Sequence, residues 1–218
     1  MSEIPEPMAE FFAKRADGYD EHMLKNVVGC REAYPLMASL VPKETKELLD
    51  LGCGTGLELD EIFKLLPNLR VTGVDMTAEM LALLRKKHPE KDMNLICGDY
   101  FAVDFGRDAF DCAVSFETMH HFPRKEKTAL YSRIREALRH GGCYIECDYM
   151  AETQAEEDFF FSEYAKLRKT GSIPEGTLVH YDTPFTAENQ ISILLDAGFS
   201  EAIHLFRKGN TSVIVAKR

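Results

Sequence analysis

The sequence predicts an α/β protein in which helices cover both faces of a doubly wound, mostly parallel sheet. From residue 48 onward, short apolar segments typical of buried strands alternate with longer helical patterns. Strands that alternate with helices of this length imply right-handed crossovers and a parallel sheet. The first strand ends in an acid followed by glycines at three alternate positions. We therefore expect a ligand at the carboxyl ends of the strands, where sheets of this kind bind ligands.

The alternation predicts seven strands, each rich in apolar or β-branched residues. They are expected at residues 47–51, 70–75, 93–97, 110–116, 143–149, 199–206 and 211–217. The helices between them are expected at residues 57–66, 78–88, 125–139 and 187–197. Thr186 is a suitable N-cap for the last of these helices and Gly198 a suitable residue to end it. A short Lys-Gly-Asn segment predicts a hairpin between the last two strands.

The segment before the first strand is predicted to be helical. Residues 8–24 place apolar side chains at helical spacing, and Gly18 interrupts the pattern. A second helical pattern, residues 33–40, ends before a proline. Because these helices precede the sheet in the chain, we expect residues 1–45 to form a helical cover on its edge or top.

A second departure from the alternation occurs near the end of the chain. Residues 150–185 are acidic and aromatic, and Phe160 and Tyr164 fall on one helical face. We expect a helical lid inserted over the ligand edge of the sheet. With 218 residues and 45% hydrophobic content, the chain suits one domain, residues 1–218, that includes the cover and the lid.

Composition narrows the possible partners. The formal net charge of −10 disfavours a nucleic-acid partner, because such surfaces neutralise phosphates with Lys and Arg. A small-molecule substrate is the better expectation, with the chain a monomer or a homodimer. No apolar run is long enough to span a membrane and no signal-peptide pattern is present, so we expect a cytoplasmic protein. The six cysteines form no Cys-x-x-Cys pair, and we expect no metal centre.

The glycine loop after the first strand is the most informative motif. Residues 50–56 read DLGCGTG, and their glycines allow positive φ angles or close approach of a ligand. A dinucleotide fingerprint beginning at Gly52 would need Gly or Ala at its sixth position, where this chain has Leu57. A P-loop would need a Gly-Lys-Ser/Thr ending, which is absent. The loop therefore predicts a ligand site of another kind.

With this loop and the acids that end the following strands, the chain resembles the class I S-adenosylmethionine-dependent methyltransferases from about Phe11 to Lys217. The resemblance implies a Rossmann-like, seven-stranded sheet of order 3-2-1-4-5-7-6, with the last strand antiparallel. It also implies S-adenosylmethionine as cofactor. In the family, the glycine loop receives the methionine end of the cofactor, the acid after the second strand accepts from the ribose, and the acid after the third accepts from the adenine.

The resemblance transfers these roles to particular residues. Asp75 would accept from both ribose hydroxyls with Met76 over the adenine face, and Asp99 would accept from the adenine amino group with Tyr100 on the ring. The full cofactor set is Arg15, Tyr19, Asp50, Gly52, Cys53, Gly54, Gly56, Asp75, Met76, Asp99, Tyr100 and Phe116. Asp75 and Asp99 could instead be helix N-caps or turn residues, and Asp50 could chiefly bond the loop amides.

The resemblance also implies a reaction at the sulfonium methyl carbon, which needs alignment more than acid–base chemistry. An acceptor that must lose a proton would need a base, and His121 or His120, directly after the fourth strand, are the candidate catalytic residues. Either ring could instead only pack under the next helix. Glu117, Tyr149 and His180 are the candidate substrate-binding residues, and residues 180–182 could line the acceptor pocket or form a turn.

We therefore predict a methyltransferase acting on an unidentified, small acceptor. Two alternatives stay open, a Rossmann oxidoreductase using NAD(P) and a non-catalytic protein that binds S-adenosylmethionine. The carboxy-S-adenosylmethionine synthases share much of this organisation, but they carry an arginine in the helix before the Ala-Gly-Phe turn. Residues 190–195 read QISILL and contain no arginine, which disfavours a carboxylated cofactor.

Overall fold

A computed structural model describes residues 6–170 and 180–218 of the chain. Its seven-stranded sheet has the order β3-β2-β1-β4-β5-β7-β6, and only β7 runs antiparallel to its neighbours. The strands are β1 Glu47–Leu51, β2 Arg70–Asp75, β3 Met93–Cys97, β4 Phe110–Phe116, β5 Leu138–Tyr149, β6 Glu201–Lys208 and β7 Thr211–Lys217. The predicted order and the antiparallel last strand are confirmed.

Eight α-helices are described. They are α1 Met8–Ala13, α2 Tyr19–Asn26, α3 Cys30–Leu40, α4 Leu57–Leu65, α5 Ala78–Lys87, α6 Arg124–Ala137, α7 Gln154–Thr170 and α8 Ala187–Asp196. A 3₁₀ turn, Met119–His121, follows β4. Among the described residues, no helix combines the length and the apolar character needed to cross a bilayer.

Alternate residues of the central strand supply two separate cores. On β1, Leu48 packs in a core with α3 and α4, whereas Leu49 and Leu51 pack in a core with α6 and α8. All three leucines are completely buried. A strand that is apolar on both faces needs helices on both faces, which is why the chain winds in both directions from β1.

Strand β5 begins five residues earlier than the sequence pattern indicates. Phe110 pairs with Leu138, and the register shifts before Cys112 pairs with Cys143. The intervening residues 139–142 read RHGG and carry no strand signal of their own. Helix α6 therefore ends at Ala137, earlier than the predicted residue 139, because Leu138 already pairs with β4 ahead of this irregularity.

Helices α1, α2 and α3 occupy the segment predicted to form a helical cover. Gly18, with φ +88°, separates α1 from α2. Asp20 of α2 accepts hydrogen bonds from the Thr55 hydroxyl of the glycine loop and from Lys87 at 3.0 Å. The second of these helices is therefore attached directly to the loop that the sequence predicts to bind a ligand.

Helix α7 occupies most of the segment predicted to form a lid, and residues 171–179 of that segment lie outside the described residues. Glu157 of α7 is buried and accepts from the Thr186 backbone N–H at 2.6 Å and from Asn189. About two turns further along the helix, Tyr164 stacks on Tyr181 with ring centroids 5.4 Å apart. One end of α7 is thus fixed to α8, while its aromatic face approaches the carboxyl edge of the sheet.

Replacing Gly29 with Ala should destabilise the fold. Gly29 precedes α3 with φ +95°, and a Cβ there would lie 2.7 Å from the backbone carbonyl oxygen of Lys208. We expect Gly29→Ala to lower the free energy of unfolding by about 2–4 kcal/mol, because backbone strain and overpacking combine. Gly18→Ala is the matched control, since Gly18 has a similar φ and a Cβ there would meet no atom within 4 Å. Equal urea midpoints for the two variants would contradict the prediction.

Candidate active site

The glycine loop between β1 and α4 has no room for a side chain at Gly52 or at Gly56. Gly52 has φ +69°, and a Cβ there would lie 2.6 Å from the Thr118 hydroxyl oxygen. Gly54 has φ +46°, and Gly56, with φ +76°, is the N-cap of α4. The N–H groups of Gly52 and Gly56 donate to Val74 and Cys53 carbonyls. The loop is therefore held open by its own backbone and exposes a surface without side chains.

A narrow cavity of about 50 Å³, which we call the loop pocket, opens against this loop. It lies at the carboxyl ends of β1, β2 and β4 and is covered by α1 and α2. Its lining residues are Met8, Phe12, Tyr19, Gly52, Gly54, Asp75, Met76, Met80, Gly98, Asp99, Tyr100, Phe116, Glu117 and Thr118. Eight of the residues predicted to bind the cofactor therefore line this pocket. Tyr19 comes from α2, and the other seven lie at the carboxyl ends of the strands.

Two carboxylates in this pocket also hold the backbone. Asp75 accepts from the Gly54 N–H at 2.9 Å and from the Thr77 N–H at 2.8 Å. Burial raises the pKa of Asp75, although these two N–H groups act in the opposite direction. Asp99 accepts from the Phe101 N–H at 2.8 Å, as in a turn. Each acid therefore has a structural role, and each still lines the pocket with its carboxylate.

Asp50 lies beneath the loop and is fully buried. Neither of its carboxylate oxygens has a hydrogen-bond partner among the described residues. The loop amides that it was expected to bond donate instead to the Val74 carbonyl. Burial raises the pKa of Asp50 to about 7, with Glu58 lowering and Asp75 further raising it. Glu58 is also buried, and its carboxyl is the group that interacts with Asp50 beneath the loop.

A second, larger cavity of about 670 Å³ adjoins the first, and we call it the histidine pocket. Phe12, Tyr19 and Glu117 line both cavities. The other residues of the histidine pocket are Phe11, Lys14, Arg15, Asp17, Gly18, His22, Met23, Val27, His120, His121, Tyr149, His180 and Asp182. A ligand in the loop pocket and a ligand in the histidine pocket would therefore meet at these three shared walls.

Glu117 stands at this meeting point in a strained conformation. Its φ is +50°, a region that residues other than glycine rarely adopt. Its carboxylate accepts from the Thr211 hydroxyl at 3.2 Å, and burial raises its pKa to about 7. Strained residues held by their surroundings cluster at functional sites. The strained backbone of Glu117 and the junction of the two cavities therefore both indicate a functional site at this residue.

His120 is held by a buried carboxylate. Its Nδ1 lies 2.7 Å from Oδ1 of Asp148, and both side chains are almost completely buried. Burial lowers the pKa of His120, but Asp148, Asp182 and Glu117 together raise it to about 9. His120 is therefore mainly an imidazolium at pH 7. Because Nδ1 is engaged with Asp148, Nε2 is the ring nitrogen left for the pocket.

His121 has the opposite electrostatic character. Burial and the neighbouring His120 lower its pKa, so the ring is mainly neutral at pH 7. Its Nδ1 lies 3.2 Å from the Tyr181 carbonyl oxygen and 3.4 Å from Oδ1 of Asp182. His180 stacks on Phe11 with ring centroids 3.6 Å apart, and burial lowers its pKa to about 4. Of the two adjacent histidines, His121 is therefore the one ready to accept a proton.

A buried polar network lies beside Asp148. Lys127 is buried, donates to Gln190 at 2.8 Å and lies 3.9 Å from Oδ2 of Asp148. Gln190 in turn donates to Glu146 at 2.7 Å. Lys127 places a positive charge beside the carboxylates of Glu146 and Asp148. The network therefore lies next to Asp148 without a hydrogen bond to it, since Oδ2 of Asp148 has no hydrogen-bond partner among the described residues.

The structure separates the sequence-predicted residues into three groups. Arg15 was expected at the cofactor but lines the histidine pocket, where its guanidinium donates to the Phe11 carbonyl at 2.9 Å. Asp50, Cys53 and Gly56 were also expected at the cofactor but are not in the lining of either cavity. All five catalytic and substrate candidates line the histidine pocket; they are Glu117, His120, His121, Tyr149 and His180.

Sequence reasoning missed several residues of the site. Asp148 is a buried acid in the apolar strand β5, and that contrast was the signal that could have revealed it. Phe12 was seen only as part of an amphipathic helix, although it lies between the two cavities. Thr118 fills the space beside Gly52, and its hydroxyl lies 3.1 Å from that of Tyr100. These contacts depend on chain segments that meet only in the fold.

Known proteins show the same organisation. A family described as a methyltransferase domain matches residues 48–142. A carboxy-S-adenosyl-L-methionine synthase from Campylobacter hominis is 23% identical over 220 residues, which cover 96% of this chain and 94% of the relative. A structure described as an O-methyltransferase from Nostoc punctiforme has a TM-score of 0.72 and 23% identity, covering 98% of this chain and 62% of that one. Human N-acetylserotonin methyltransferase, in complex with S-adenosylmethionine, has a TM-score of 0.68 and 14% identity, covering 95% of this chain and 59% of that one.

The chain spans less than two thirds of the length of both solved structures. Together with the glycine loop and the sheet order, the matches define an enzyme class that uses a sulfonium cofactor. The family model over residues 48–142, the relatives and the shared fold support the class I S-adenosylmethionine-dependent methyltransferase family. The predicted family, enzyme class and cofactor are confirmed, and the comparisons favour this class over the NAD(P) alternative.

The residues of the loop pocket fit S-adenosylmethionine. The backbone at Gly52 allows close approach of the cofactor, because a Cβ there would lie 2.6 Å from the Thr118 hydroxyl oxygen. Asp75 and Asp99 offer carboxylate oxygens at the ends of successive strands, where hydroxyl and amino donors can be bound. Aromatic and thioether side chains, Tyr100 and Met76 among them, line the pocket beside these acids.

Proposed function

We propose that this chain transfers the methyl group of S-adenosylmethionine to a small-molecule acceptor held in the histidine pocket. The observation that carries the proposal is the shared wall of the two cavities at Phe12, Tyr19 and Glu117. A methyl donor in the loop pocket and a nucleophile in the histidine pocket would meet there. When bound, S-adenosylmethionine supplies a methyl group on a positively charged sulfur that a nucleophile can displace.

The residues of the loop pocket bind and orient the donor in this proposal. Asp75 and Asp99 accept hydrogen bonds from the ribose and the adenine, and Tyr100 and Met76 pack on the ring. Asp50 supports the glycine loop from beneath, where it is fully buried and lies outside the lining of the loop pocket. Such fixed contacts contribute to catalysis mainly by alignment.

The residues of the histidine pocket bind the acceptor and take its proton. His121 is the proposed base, because its pKa is lowered and the ring is neutral at pH 7. His120, held by Asp148, is the proposed donor of a hydrogen bond that orients the acceptor. Glu117, Tyr149 and His180 complete the proposed acceptor contacts, and α1 and α2 exclude water from the junction.

A carboxy-S-adenosylmethionine synthase is the second candidate, because a relative of that name aligns over nearly the whole of both chains. That activity needs a cation for an additional carboxylate. Among the described residues, three cations line the histidine pocket, and each already has a carboxylate partner. His120 is paired with Asp148. Lys14 and Arg15 contact the carboxylate of Glu6. Helix α8 contains no arginine, and its Gln190 serves the buried network with Lys127. These observations favour methyl transfer.

Mass spectrometry of the reaction products tests the choice. The chain is incubated with S-adenosylmethionine and the small-molecule fraction of a cell extract. Methyl transfer yields S-adenosylhomocysteine and an acceptor heavier by one methylene group. A cofactor product heavier by the mass of carbon dioxide, with no methylated acceptor, would replace the proposal by the synthase.

The proposed lid should respond to ligands. The aromatic face of α7 contacts residues at the edge of the histidine pocket, with Phe160 and Tyr149 ring centroids 6.0 Å apart. We expect amide hydrogen exchange in residues 160–170 to slow when cofactor and acceptor are both bound, because closing a lid removes local opening. Residues 187–196 of α8 are the internal reference and should not change. Equal exchange with and without ligands would indicate that α7 is a static element.

A further inference from the structure

A cluster at the floor of the histidine pocket has the chemistry of a cation site. His120, His121 and Asp182 each offer one ligand atom, and these atoms all lie within 4.8 Å of one another. Nε2 of His120 lies 3.6 Å from Oδ1 of Asp182, and Nδ1 of His121 lies 3.4 Å from the same oxygen. Two imidazoles and one carboxylate therefore converge on one point.

We propose that His120, His121 and Asp182 bind a divalent first-row transition metal ion, such as Zn²⁺, at the floor of the histidine pocket. The proposal that an ion binds here is independent of the proposed methyl transfer. The role of the ion in removing the acceptor's proton rests on the proposed function. Imidazole nitrogens with a carboxylate suit zinc and its neighbours in the first transition row, whereas Mg²⁺ and Ca²⁺ prefer oxygen ligands only.

The distances match the edges of a metal polyhedron. Bonds of about 2.0–2.1 Å to nitrogen and oxygen give ligand-to-ligand edges of about 3.4 Å in a tetrahedron. The two edges that end at Asp182, 3.4 Å and 3.6 Å, agree with this value. The third edge joins the ligand nitrogens of His120 and His121, which lie within 4.8 Å of each other.

A second group of possible ligands, which shares His120, is less suitable for a metal ion. Glu117, His120 and Asp148 also lie close together, but Asp148 Oδ1 is only 2.7 Å from His120 Nδ1. That separation is a hydrogen bond and is shorter than the edge expected between two ligands of one ion. Asp148 is therefore a support for a ligand, the carboxylate–histidine–metal arrangement that fixes ring orientation and raises ligand basicity.

The backbone around the cluster is also tied together. The Thr183 N–H donates to the His120 carbonyl at 2.7 Å, and the Thr183 hydroxyl donates to the same oxygen at 3.0 Å. Thr183 is completely buried. The segment that carries Asp182 is thus fixed to the 3₁₀ turn that carries both histidines, so the three ligands do not have to be gathered from separate mobile elements.

The site would leave coordination positions open toward the pocket. Three protein ligands with an open position are typical of catalytic rather than structural zinc sites. Binding would form bonds from Nε2 of His120, Nδ1 of His121 and Asp182. It would displace the hydrogen bond from His121 Nδ1 to the Tyr181 carbonyl, and the ring protons would be released to solvent. An acceptor hydroxyl or thiol in the open position would have its pKa lowered, so His120 and His121 would act on the acceptor's proton through the ion.

Metal titration tests binding without any assay of activity. Chain without a polyhistidine tag is stripped with chelator and titrated with Co²⁺ by visible absorption and with Zn²⁺ by calorimetry. We expect one ion per chain with a dissociation constant in the micromolar range or tighter. His140→Ala, at an exposed histidine, is the control and should bind as the wild type does.

Variants then identify the ligands. Asp182→Asn should weaken Co²⁺ binding at least tenfold while the fold is kept, because the side chain is 39% exposed and the change is isosteric. Asp148→Asn should weaken binding about 10–100-fold through His120. Absence of saturable binding in the wild type, or equal affinity in Asp182→Asn, would overturn the proposal. If the wild type binds Co²⁺ saturably and Asp182→Asn does not, the metal site is supported. If the wild type then also shows no methyl transfer, only the proposed function is rejected.

Discussion

His121→Ala is expected to lower turnover on the true acceptor by about 10²–10⁴-fold, which is the usual effect of removing a general base. Its ring lies in the histidine pocket, and its lowered pKa leaves it neutral and able to accept a proton at pH 7. Affinity for S-adenosylmethionine should be nearly unchanged, because His121 does not line the loop pocket. Steady-state kinetics and calorimetry on the same preparation measure both quantities.

The control for this prediction separates catalysis from packing. His120→Ala removes the partner of buried Asp148, so it should lower thermal stability as well as activity. His121→Ala should lower activity alone. Full activity of His121→Ala from pH 6 to 9 would show that positioning of the acceptor is sufficient. A role as metal ligand predicts the same loss of activity, and the Co²⁺ titration distinguishes a ligand from a free base.

Asp75→Ala is expected to weaken binding of S-adenosylmethionine by about 2–4 kcal/mol, or about 30- to 700-fold. The carboxylate lines the loop pocket and has oxygens available to accept from the cofactor. It also holds the Gly54 N–H at 2.9 Å, so part of the loss will come from a looser glycine loop. Calorimetric titration with S-adenosylmethionine measures the total.

Asp75→Asn is the matched variant for this prediction. It keeps one acceptor oxygen for the backbone but removes the negative charge, so its affinity should fall between those of the wild type and Asp75→Ala. Thermal melts of all three proteins show whether the fold is intact. Unchanged affinity in Asp75→Ala would remove this residue from the cofactor site.

The sequence predicts the fold and the loop pocket well because both depend on local signals. Strands such as β1 are continuous apolar runs, and parallel pairing then requires that the acids ending them meet at one edge. This is how Asp75 and Asp99 could be placed before the structure was known. Gly52 could be identified from the glycine motif alone. The structure gives the reason for the glycine, because only glycine fits where Thr118 approaches.

The rest of the site depends on contacts between distant segments. Asp148 and His120 are 28 residues apart, and His121 and Tyr181 are 60 apart, so no local pattern relates them. The strained φ of Glu117 also has no sequence signal, because residues other than glycine adopt it only when the surroundings enforce it. Cysteine spacing could not reveal the proposed cation site, since no cysteine contributes to it.

A crystal structure of the chain with S-adenosylhomocysteine and a methyl acceptor tests the proposed use of the two pockets most directly. We expect the nucleoside beside Asp75 and Asp99, with the sulfur directed toward the shared wall at Phe12, Tyr19 and Glu117. We also expect the acceptor's nucleophilic atom on the opposite side of that wall, in the histidine pocket. A cofactor bound elsewhere, or one whose sulfur points away from the histidine pocket, would contradict the proposed methyl transfer between the pockets.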